Sequence, residues 1–312
     1  MEANSSPSSA RWGWIALTAV APVAWGSTYV VTRAVLPDEP LWGAVLRALP
    51  AGLLLLLVKR RLPRGAWWWR SAVLGLLTSG GFFALVYAVA HLLPSGVAAT
   101  VMAASPLAMM ALAWLILGQR PRLLALAGGI SGAVGVAVML LGAAEGVDPL
   151  GVVAAVAAML LSSVGYVLAT RWEGEVDVFS ATSWQLIAGG LLMLPPALVL
   201  EGAPPALDGP AIAGFAYVTV VATAVAFLAW FAGLRHLGPA TVGLIGLLNP
   251  VAGVLLGAVV AGETLTGRQL LGLAIVLAGI GVGQSARASR KPRVGAKKAV
   301  PVTAVEKSRM RS

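Results

Sequence analysis

The sequence predicts an all-α polytopic membrane protein, with ten transmembrane helices arranged as two inverted five-helix repeats. Apolar residues make up 59% of the chain and charged residues only 11%, whereas about a quarter of the residues in a soluble domain are charged. Apolar stretches of about 20 residues, the length that crosses a bilayer as a helix, recur between short polar or Pro/Gly-containing turns. Because lipid offers the backbone no hydrogen-bond partners, such continuous spans are expected to be helices rather than barrel strands.

The predicted spans follow one another closely, which leaves no room for a soluble domain between them. They cover residues 12–35, 40–58, 67–91, 95–117 and 122–142 in the first half, and 148–170, 179–200, 210–233, 239–260 and 267–285 in the second. The chain is thus divided into an N-terminal tail (1–11), a first repeat (12–142), a second repeat (148–285) and a basic C-terminal tail (286–312). No cleaved signal peptide is predicted, so the first span is expected to remain in the mature protein.

The positions of the charged residues predict an orientation. All twelve acidic residues lie in predicted loops or tails or at the edge of a span. If the N-terminus is cytoplasmic, the inner loops and the C-terminal tail carry most of the Lys and Arg residues, and the outer loops hold only Arg268. The positive-inside rule therefore predicts that both termini are cytoplasmic. The net charge of +10 is explained by this topology and by contact of the basic tail with anionic lipid, so no nucleic-acid partner is expected. A partner-binding or regulatory role for the tail stays open.

The two halves repeat in sequence. A shift of 138 residues lays "GWIALTAVAPVAWGSTYVVTR", from residue 13, over "GVVAAVAAMLLSSVGYVLATR", from residue 151, and it places Arg47 on Gln185. A shift of 144 residues then pairs Pro106 with Pro250. Because each repeat has an odd number of spans, the second copy enters the membrane from the opposite side. This inverted arrangement is typical of transporters.

Four stretches carry a resemblance to a known family: "WGSTYVVTR" in span one, "LRALPAG" in span two, "GVAATVMAASPLAMMALAWLILGQRP" in span four, and "ATVGLIGLLNPVAGVLLGAVVAGETLTGRQLLGLAIVLAGI" in spans nine and ten. Over roughly residues 12–285 the chain resembles the drug/metabolite transporter superfamily, specifically its ten-helix class with two EamA-type halves. The resemblance implies a bacterial inner-membrane carrier that exports amino acids or other small metabolites. One departure is Gln119, which stands where the first half of family members often has a glutamate, whereas the second half keeps Glu263. An acid-dependent role at the first position is therefore not expected.

Arg47 is the most unusual residue of the predicted spans, since it lies in the apolar run "WGAVLRALPAGLLLLLV". An arginine buried in hydrocarbon costs at least ~3 kcal/mol, so it is expected to face the bundle interior, a water-filled cavity or an anionic partner. Two interpretations stay open: snorkelling to the outer headgroups, or a functional role in binding a carboxylate or phosphate or in bridging helices through backbone carbonyls. Pro50 frees the carbonyl of Leu46 beside the guanidinium, which creates a polar spot that only protein or water can line.

Further candidates come from polar, aromatic and proline residues of the spans. The substrate-binding or cavity candidates are Arg47, Asn249, Trp25, Ser27, Tyr29, Tyr87, Ser105, Tyr166, Gln185 and Trp230, and the hinge or kink candidates are Pro22, Pro50, Pro106 and Pro250. Ser105 and Asn249 directly precede the two matched prolines, so they are expected to face each other near the symmetry axis. For the aromatic residues the alternative is packing or interface anchoring, and for the prolines it is an inert kink.

A transporter is favoured over a membrane enzyme. The chain has no cysteine, which excludes disulfides and thiolate metal sites. The spans offer no paired acids, Ser/His arrangement or metal ligands, so neither catalytic residues nor a cofactor or metal is expected. With no carboxylate in the interior of a span, a carboxylate proton relay is not expected either. The prediction is alternating access by a facilitator or exchanger of zwitterionic or anionic metabolites, and the family resemblance implies export.

Several alternatives remain at this point. A sugar-phosphate or nucleotide-sugar exchanger and a drug efflux carrier belong to the same superfamily. A membrane receptor or scaffold is the alternative outside transport, although neither needs inverted halves. Substrate identity, direction, ion coupling and oligomeric state are not set by the sequence, and a monomer is compatible with it.

Overall fold

A computed structural model describes residues 7–93, 101–140, 148–260 and 265–285, which form helices joined by short connections. The helices of the first half are α1 (Pro7–Val35), α2 (Pro40–Lys59), α3 (Trp67–Gly75), α4 (Gly81–Leu92), α5 (Ser105–Leu117) and α6 (Leu123–Leu140). Those of the second half are α7 (Pro149–Arg171), α8 (Val178–Leu200), α9 (Gly209–Thr219), α10 (Ala226–Leu237), α11 (Pro239–Gly246), α12 (Leu248–Val260) and α13 (Gly267–Ser285). Two π-helical segments, π1 (Leu76–Gly80) and π2 (Val220–Val225), join α3 to α4 and α9 to α10.

The prediction of an all-helical membrane fold is confirmed over the part of the chain that the structure describes. Seven helical stretches are long and apolar enough to cross a membrane, and two shorter apolar helices cover Ser105–Leu117 and Leu123–Met139. Most helix ends lie within a few residues of the predicted span ends, because prolines and capping carboxylates mark them. Asp148, for example, accepts a hydrogen bond from the N–H of Leu150 at the start of α7 (2.7 Å). The number of ten spans stays a prediction.

The candidate hinge prolines fall into two groups. Helices α5 and α12 begin one and two residues before Pro106 and Pro250, so each of these apolar stretches is interrupted at its matched proline. Pro22 and Pro50, in contrast, lie inside the continuous helices α1 and α2. A proline removes one N–H donor in either setting. Whether any of the four acts as a hinge stays a prediction.

Glycines set the contact between the repeat-equivalent helices α2 and α8. A Cβ built on Gly52 would lie 2.7 Å from the side chain of Ile187, and one built on Gly190 would lie 2.9 Å from that of Leu49. Residue numbers therefore rise along one helix while they fall along the other. Equivalent helices of the two halves run antiparallel, as inverted repeats require.

A second antiparallel crossing joins α6 to α13. A Cβ on Gly128 would lie 2.5 Å from the carbonyl oxygen of Gly279, and a Cβ on Gly135 would lie 2.8 Å from that of Gly272. Only glycine allows two backbones to approach so closely. The sequence repeat aligns Gly128 with Gly272 and Gly135 with Gly279. Gly128 therefore packs on the repeat equivalent of Gly135, and Gly135 packs on the repeat equivalent of Gly128. The two-repeat, inverted architecture is thereby confirmed.

The distribution of polarity is that of a protein in lipid. Large aliphatic side chains such as Leu115, Val199 and Val259 are exposed on the outer surface. Hydroxyl and amide side chains such as Thr78 and Gln185 are buried among the helices. Hydrocarbon accepts the apolar exterior without cost, whereas buried polar groups need partners inside the protein. The polar interior therefore indicates where a substrate path can lie.

Candidate functional site

Arg47 points into the helix bundle. Its Nε donates a hydrogen bond to Oγ1 of Thr223 (2.7 Å), and its Nη2 donates to the backbone carbonyl of Ala222 (3.2 Å). The guanidinium carbon lies 4.6 Å from the centre of the Phe83 ring, close enough for a cation–π interaction. The arginine thus bridges α2 of the first half to π2 of the second, through the hydroxyl of Thr223 and the backbone carbonyl of Ala222.

The acceptors of Arg47 lie on a π-helical turn, which the sequence did not indicate. Trp25 donates from Nε1 to the same carbonyl of Ala222 (3.0 Å). Thr223 accepts from Arg47 and donates its own hydroxyl proton to the carbonyl of Val218, five residues earlier (2.7 Å). π turns are rare and concentrate at functional sites, where they displace backbone groups from their usual partners. Here π2 presents a carbonyl and a hydroxyl to the guanidinium.

Arg47, Thr223 and the carbonyl of Ala222 form a polar seam between the two halves. Two further contacts extend this polar seam along α9. The carbonyl of Leu46, which Pro50 deprives of its helical donor, accepts a hydrogen bond from Oγ1 of Thr219 (3.3 Å). The hydroxyl groups of Ser27 and Tyr217 are hydrogen-bonded to each other. The irregular backbone beside Arg47 is therefore lined by protein, as a membrane interior requires.

An aromatic cluster lies beside the seam and brings three of the candidates together. The ring centres of Trp25 and Trp230 are 5.1 Å apart, and those of Tyr166 and Trp230 are 5.4 Å apart. Phe227 lies 5.5 Å from Trp25, and Phe231 lies 5.9 Å from Tyr166. Nε1 of Trp230 is buried and has no hydrogen-bond partner among the described residues. Such a group is unusual in a folded protein and is a natural contact for a ligand.

Gln185 occupies a different place, against π1. It is buried, and its Oε1 accepts a hydrogen bond from Oγ1 of Thr78 (3.3 Å). Its backbone carbonyl accepts from Oγ of Ser79 (3.4 Å). Gln185 also lines a cavity of about 40 Å³ together with Thr182 and Phe231. Since Phe231 belongs to the aromatic cluster, this cavity adjoins it.

The remaining candidates are more scattered. Asn249 lies where α12 meets α1, and its backbone carbonyl is 2.7 Å from the position of a Cβ on Gly26. Ser105 lies beside Pro106, which packs on Gly243 of α11. In the described part of the chain no hydrogen bond joins Ser105 to Asn249, so the expected face-to-face arrangement stays a prediction.

For two candidate tyrosines the structure describes the helix but not the side chain. Tyr29 and Tyr87 fall within α1 and α4, but their side chains lie outside the described residues. Pro22, the remaining candidate of α1, is buried. Among the residues that the structure describes, no three His, Asp or Glu side chains come together as metal ligands.

Sequence reasoning missed Thr223, which accepts a hydrogen bond from Arg47, and Thr219, which donates one to the carbonyl of Leu46. Thr219 and Thr223 are four residues apart in an apolar span, which places them on one face of a helix. That spacing was an available signal for a polar face on this span, and Tyr217 is a further polar residue two positions before Thr219. The π turn itself has no comparable signature, because it depends on how α9 and α10 pack against neighbouring helices.

Comparison with known proteins agrees with this architecture. The model of the EamA-like transporter family matches residues 12–141 and again residues 149–282. The chain is 35% identical over 263 residues to Protein PecM of Dickeya dadantii, an alignment that covers 83% of this chain and 88% of PecM. It is 30% identical over 287 residues to the probable amino-acid metabolite efflux pump of Salmonella typhimurium, covering 86% of this chain and 93% of that protein.

Two further similarities support the same assignment. The inner membrane transporter YedA of Escherichia coli K12, described as uncharacterized, is 30% identical over 263 residues, which cover 82% of this chain and 85% of YedA. One solved crystal structure of a protein superposes with a TM-score of 0.73 at 21% identity, covering 88% of this chain and 96% of that one. The structural likeness shows a shared fold. The family model, which matches both halves of the chain, and the similar sequences show common ancestry. The chain therefore belongs to the EamA-like transporter family.

Proposed function

We propose that the protein is a secondary transporter that exports amino acids or related carboxylate-bearing metabolites across the cytoplasmic membrane by alternating access of its two halves. The observation that carries this proposal is Arg47, a permanently charged side chain that points into an apolar bundle. A guanidinium in that setting favours an anionic ligand, and its planar fork matches a carboxylate. The Salmonella relative, named a probable amino-acid metabolite efflux pump, supports the same substrate class.

The contacts of Arg47 suggest how binding drives the exchange between states. Arg47 belongs to the first half, whereas its acceptors Thr223 and Ala222 belong to the second. A substrate carboxylate that takes two N–H donors of the guanidinium competes directly with these acceptors. Binding therefore weakens a link between the halves and lowers the cost of their relative movement. The aromatic cluster around Trp230 lies close enough to pack on the apolar part of the substrate.

The proposed mechanism needs no protonated carboxylate within the membrane. None of the described helices contains Asp or Glu. Carriers that are driven by protons commonly use such a residue. We therefore expect facilitated transport or exchange, with both termini in the cytoplasm and export as the direction set by the metabolite gradient. Transport of a substrate that does not itself ionise, driven strongly by an imposed pH gradient, would contradict this mechanism.

Counterflow in proteoliposomes tests the proposal. Purified protein is reconstituted and uptake of labelled amino acids, organic acids, amines and nucleotide sugars is measured for wild type, Arg47→Ala, Arg47→Lys and Arg120→Ala. Arg120 is the matched control, since it is exposed in the loop after α5. Because hydrogen bonds to charged groups contribute about 1.5 to 3 kcal/mol, we expect Arg47→Ala to lower kcat/KM about tenfold or more. Arg47→Lys keeps the charge but loses the fork, so an intermediate loss is expected.

Each arm of this experiment has a distinct meaning. Uptake of amino acids that requires Arg47 and tolerates Arg120→Ala supports the proposal. Wild-type rates in a folded Arg47→Ala protein contradict the role of the arginine and favour a structural bridge. Uptake confined to nucleotide sugars or to amines contradicts the substrate class while leaving the transporter itself in place.

A further inference from the structure

Arg47 and Gln185 occupy equivalent positions in the inverted halves. Arg47 is the eighth residue of α2, and Gln185 is the eighth residue of α8. Their numbers differ by 138, the shift that aligns the first two spans of each repeat. Because α2 and α8 run antiparallel, the two side chains lie at similar depths from opposite membrane faces.

The contacts of the two residues are equivalent as well. Arg47 bonds to π2, which begins at Val220, and Gln185 bonds to π1, which begins at Leu76, 144 residues earlier. This is the shift that aligns the later spans of each repeat. Each π segment therefore receives a polar side chain from the second span of the opposite half. Where one half supplies a cation, the other supplies a neutral amide.

Thr182 adds an unsatisfied polar group next to Gln185. It lies one turn earlier on α8 and is fully buried. Its Oγ1 has no hydrogen-bond partner among the described residues, although most buried hydroxyl groups have one. Both side chains line the cavity of about 40 Å³ that adjoins the aromatic cluster at Phe231. A hydroxyl and an amide thus meet in one small space between α8 and α10.

The rim of this cavity carries charges of both signs. Glu173 and Arg235 line it, together with Trp67 and Trp172. Glu175, just beyond the rim, accepts hydrogen bonds from Nε1 of Trp67 (3.1 Å) and from Arg70. A cavity for a metabolite usually measures about 300 Å³ or more. The present cavity, at about 40 Å³, is smaller, so binding of a metabolite requires the surrounding helices to move apart.

We propose that this cavity is a second ligand site, which accepts the zwitterionic head group of the transported metabolite at the end of the bundle opposite to Arg47. Thr182 and Gln185 supply neutral hydrogen bonds at its base, and Glu173 and Arg235 attract the ammonium and carboxylate groups at its rim. The inference rests on the proposed function, since it gives the substrate a path from Gln185 past Phe231 to Arg47. By the proposed orientation this site opens toward the cytoplasm, where an exported substrate enters.

Single cysteines test the site directly, because the chain contains none of its own. Thr182→Cys is treated with a small water-soluble methanethiosulfonate in inside-out and right-side-out vesicles, with and without mixed neutral amino acids. We expect labelling from the cytoplasmic face, slowed about tenfold by amino acids at about ten times their Kd. Propionate and ethylamine, which each carry one of the two charges, are expected to protect much less. Ser162→Cys is the matched control, a buried hydroxyl position on α7 that does not line the cavity and is expected to stay unlabelled.

A kinetic arm separates this site from that of Arg47. Thr182→Val removes the hydroxyl without changing the shape of the side chain, and Thr182→Ser retains it. We expect Thr182→Val to raise KM about fivefold for substrate added at the cytoplasmic face and to leave KM at the external face unchanged. Arg47→Ala is expected to impair transport from both faces.

The outcomes distinguish the two proposals. Absence of labelling at position 182, or labelling that amino acids do not slow, overturns the second site even if Arg47-dependent transport is found. If propionate protects as well as amino acids do, the proposal that the cavity binds a zwitterion is wrong and the cavity binds anions. Protection at position 182 in a protein that transports no amino acid supports the site while contradicting the proposed function.

Discussion

Trp25 and Arg47 donate hydrogen bonds to one acceptor, the backbone carbonyl of Ala222, at 3.0 and 3.2 Å. A carbonyl oxygen has two lone pairs, so it can satisfy both donors at once. The shared acceptor links α1 and α2 of the first half to π2 of the second. Any ligand that draws Arg47 away leaves the carbonyl with Trp25 alone, so the contact between the halves weakens without leaving a buried group unpaired.

Thr223→Val is expected to destabilise this junction. The substitution removes the hydroxyl that accepts from Nε of Arg47 and donates to Val218, while it keeps the shape of the side chain. Because hydrogen bonds to charged groups contribute more than neutral ones, we expect a loss of about 1.5 to 3 kcal/mol. Thermal unfolding of the purified protein in detergent measures it. Thr223→Ser keeps the hydroxyl and serves as control, and equal unfolding temperatures of the Val and Ser variants would contradict the assignment.

Glu201 is expected to stabilise the start of α2 from a distance of 160 residues in sequence. Its two carboxylate oxygens accept the backbone N–H groups of Leu41 and Trp42, each at 2.8 Å. These groups have no partner within the helix, and a negative charge there also interacts favourably with the helix dipole. We therefore expect Glu201→Ala to cost about 1 to 2 kcal/mol of stability.

Glu39 provides a matched control for this effect. It directly precedes α2, yet its side chain makes no capping hydrogen bond. Glu39→Ala is expected to leave the unfolding temperature nearly unchanged under the same conditions. If both variants lose equal stability, general loss of negative charge near α2, and not capping by Glu201, explains the result.

Much of the fold could be predicted from this sequence, because hydrophobic length and the positions of proline act locally. The spans near α2 and α8 agree with the helices to within one residue at each end. The repeat also predicted which helices are equivalent, since the glycines that match in sequence are those that allow close packing. These inferences depend on periodicity and composition, both of which a single chain displays.

The site could be predicted only in part. Arg47 stood out because a charge in hydrocarbon is costly, and Pro50 correctly indicated a freed carbonyl at Leu46. The spacing of Thr219 and Thr223 indicated a shared polar face, but that packing turns this face toward Arg47 and the carbonyl of Leu46 could not be derived. Tertiary contacts of this kind leave little trace in one sequence.

The crossing of α6 and α13 is expected to tolerate no side chain. A Cβ on Gly128 would lie 2.5 Å from the carbonyl oxygen of Gly279, a distance that requires the backbones to separate. Overpacking of this kind costs about 1 to 3 kcal/mol, so Gly128→Ala is expected to lower the unfolding temperature or the yield of folded protein. Gly281→Ala is the control in α13, since no atom lies within 4 Å of its Cβ position. Equal behaviour of the two variants would show that α6 and α13 do not pack as described.

Asp177 is expected to make the stability of the α8 N-terminus depend on pH. Burial alone would raise the pKa of this carboxyl group, but hydrogen bonds from the backbone and side chain of Ser180 and the charges of Lys59 and Arg61 outweigh it and lower the pKa below 3.8. A group whose pKa is lower in the folded state contributes stability above its unfolded pKa and loses it as the pH falls through the folded value. Asp177→Asn removes this titration. In detergent, the difference in unfolding temperature between wild type and Asp177→Asn is therefore expected to be constant near neutral pH and to shrink as the pH falls below about 4. A difference that stays constant down to the most acidic pH would show that the carboxylate is not stabilised in the folded state.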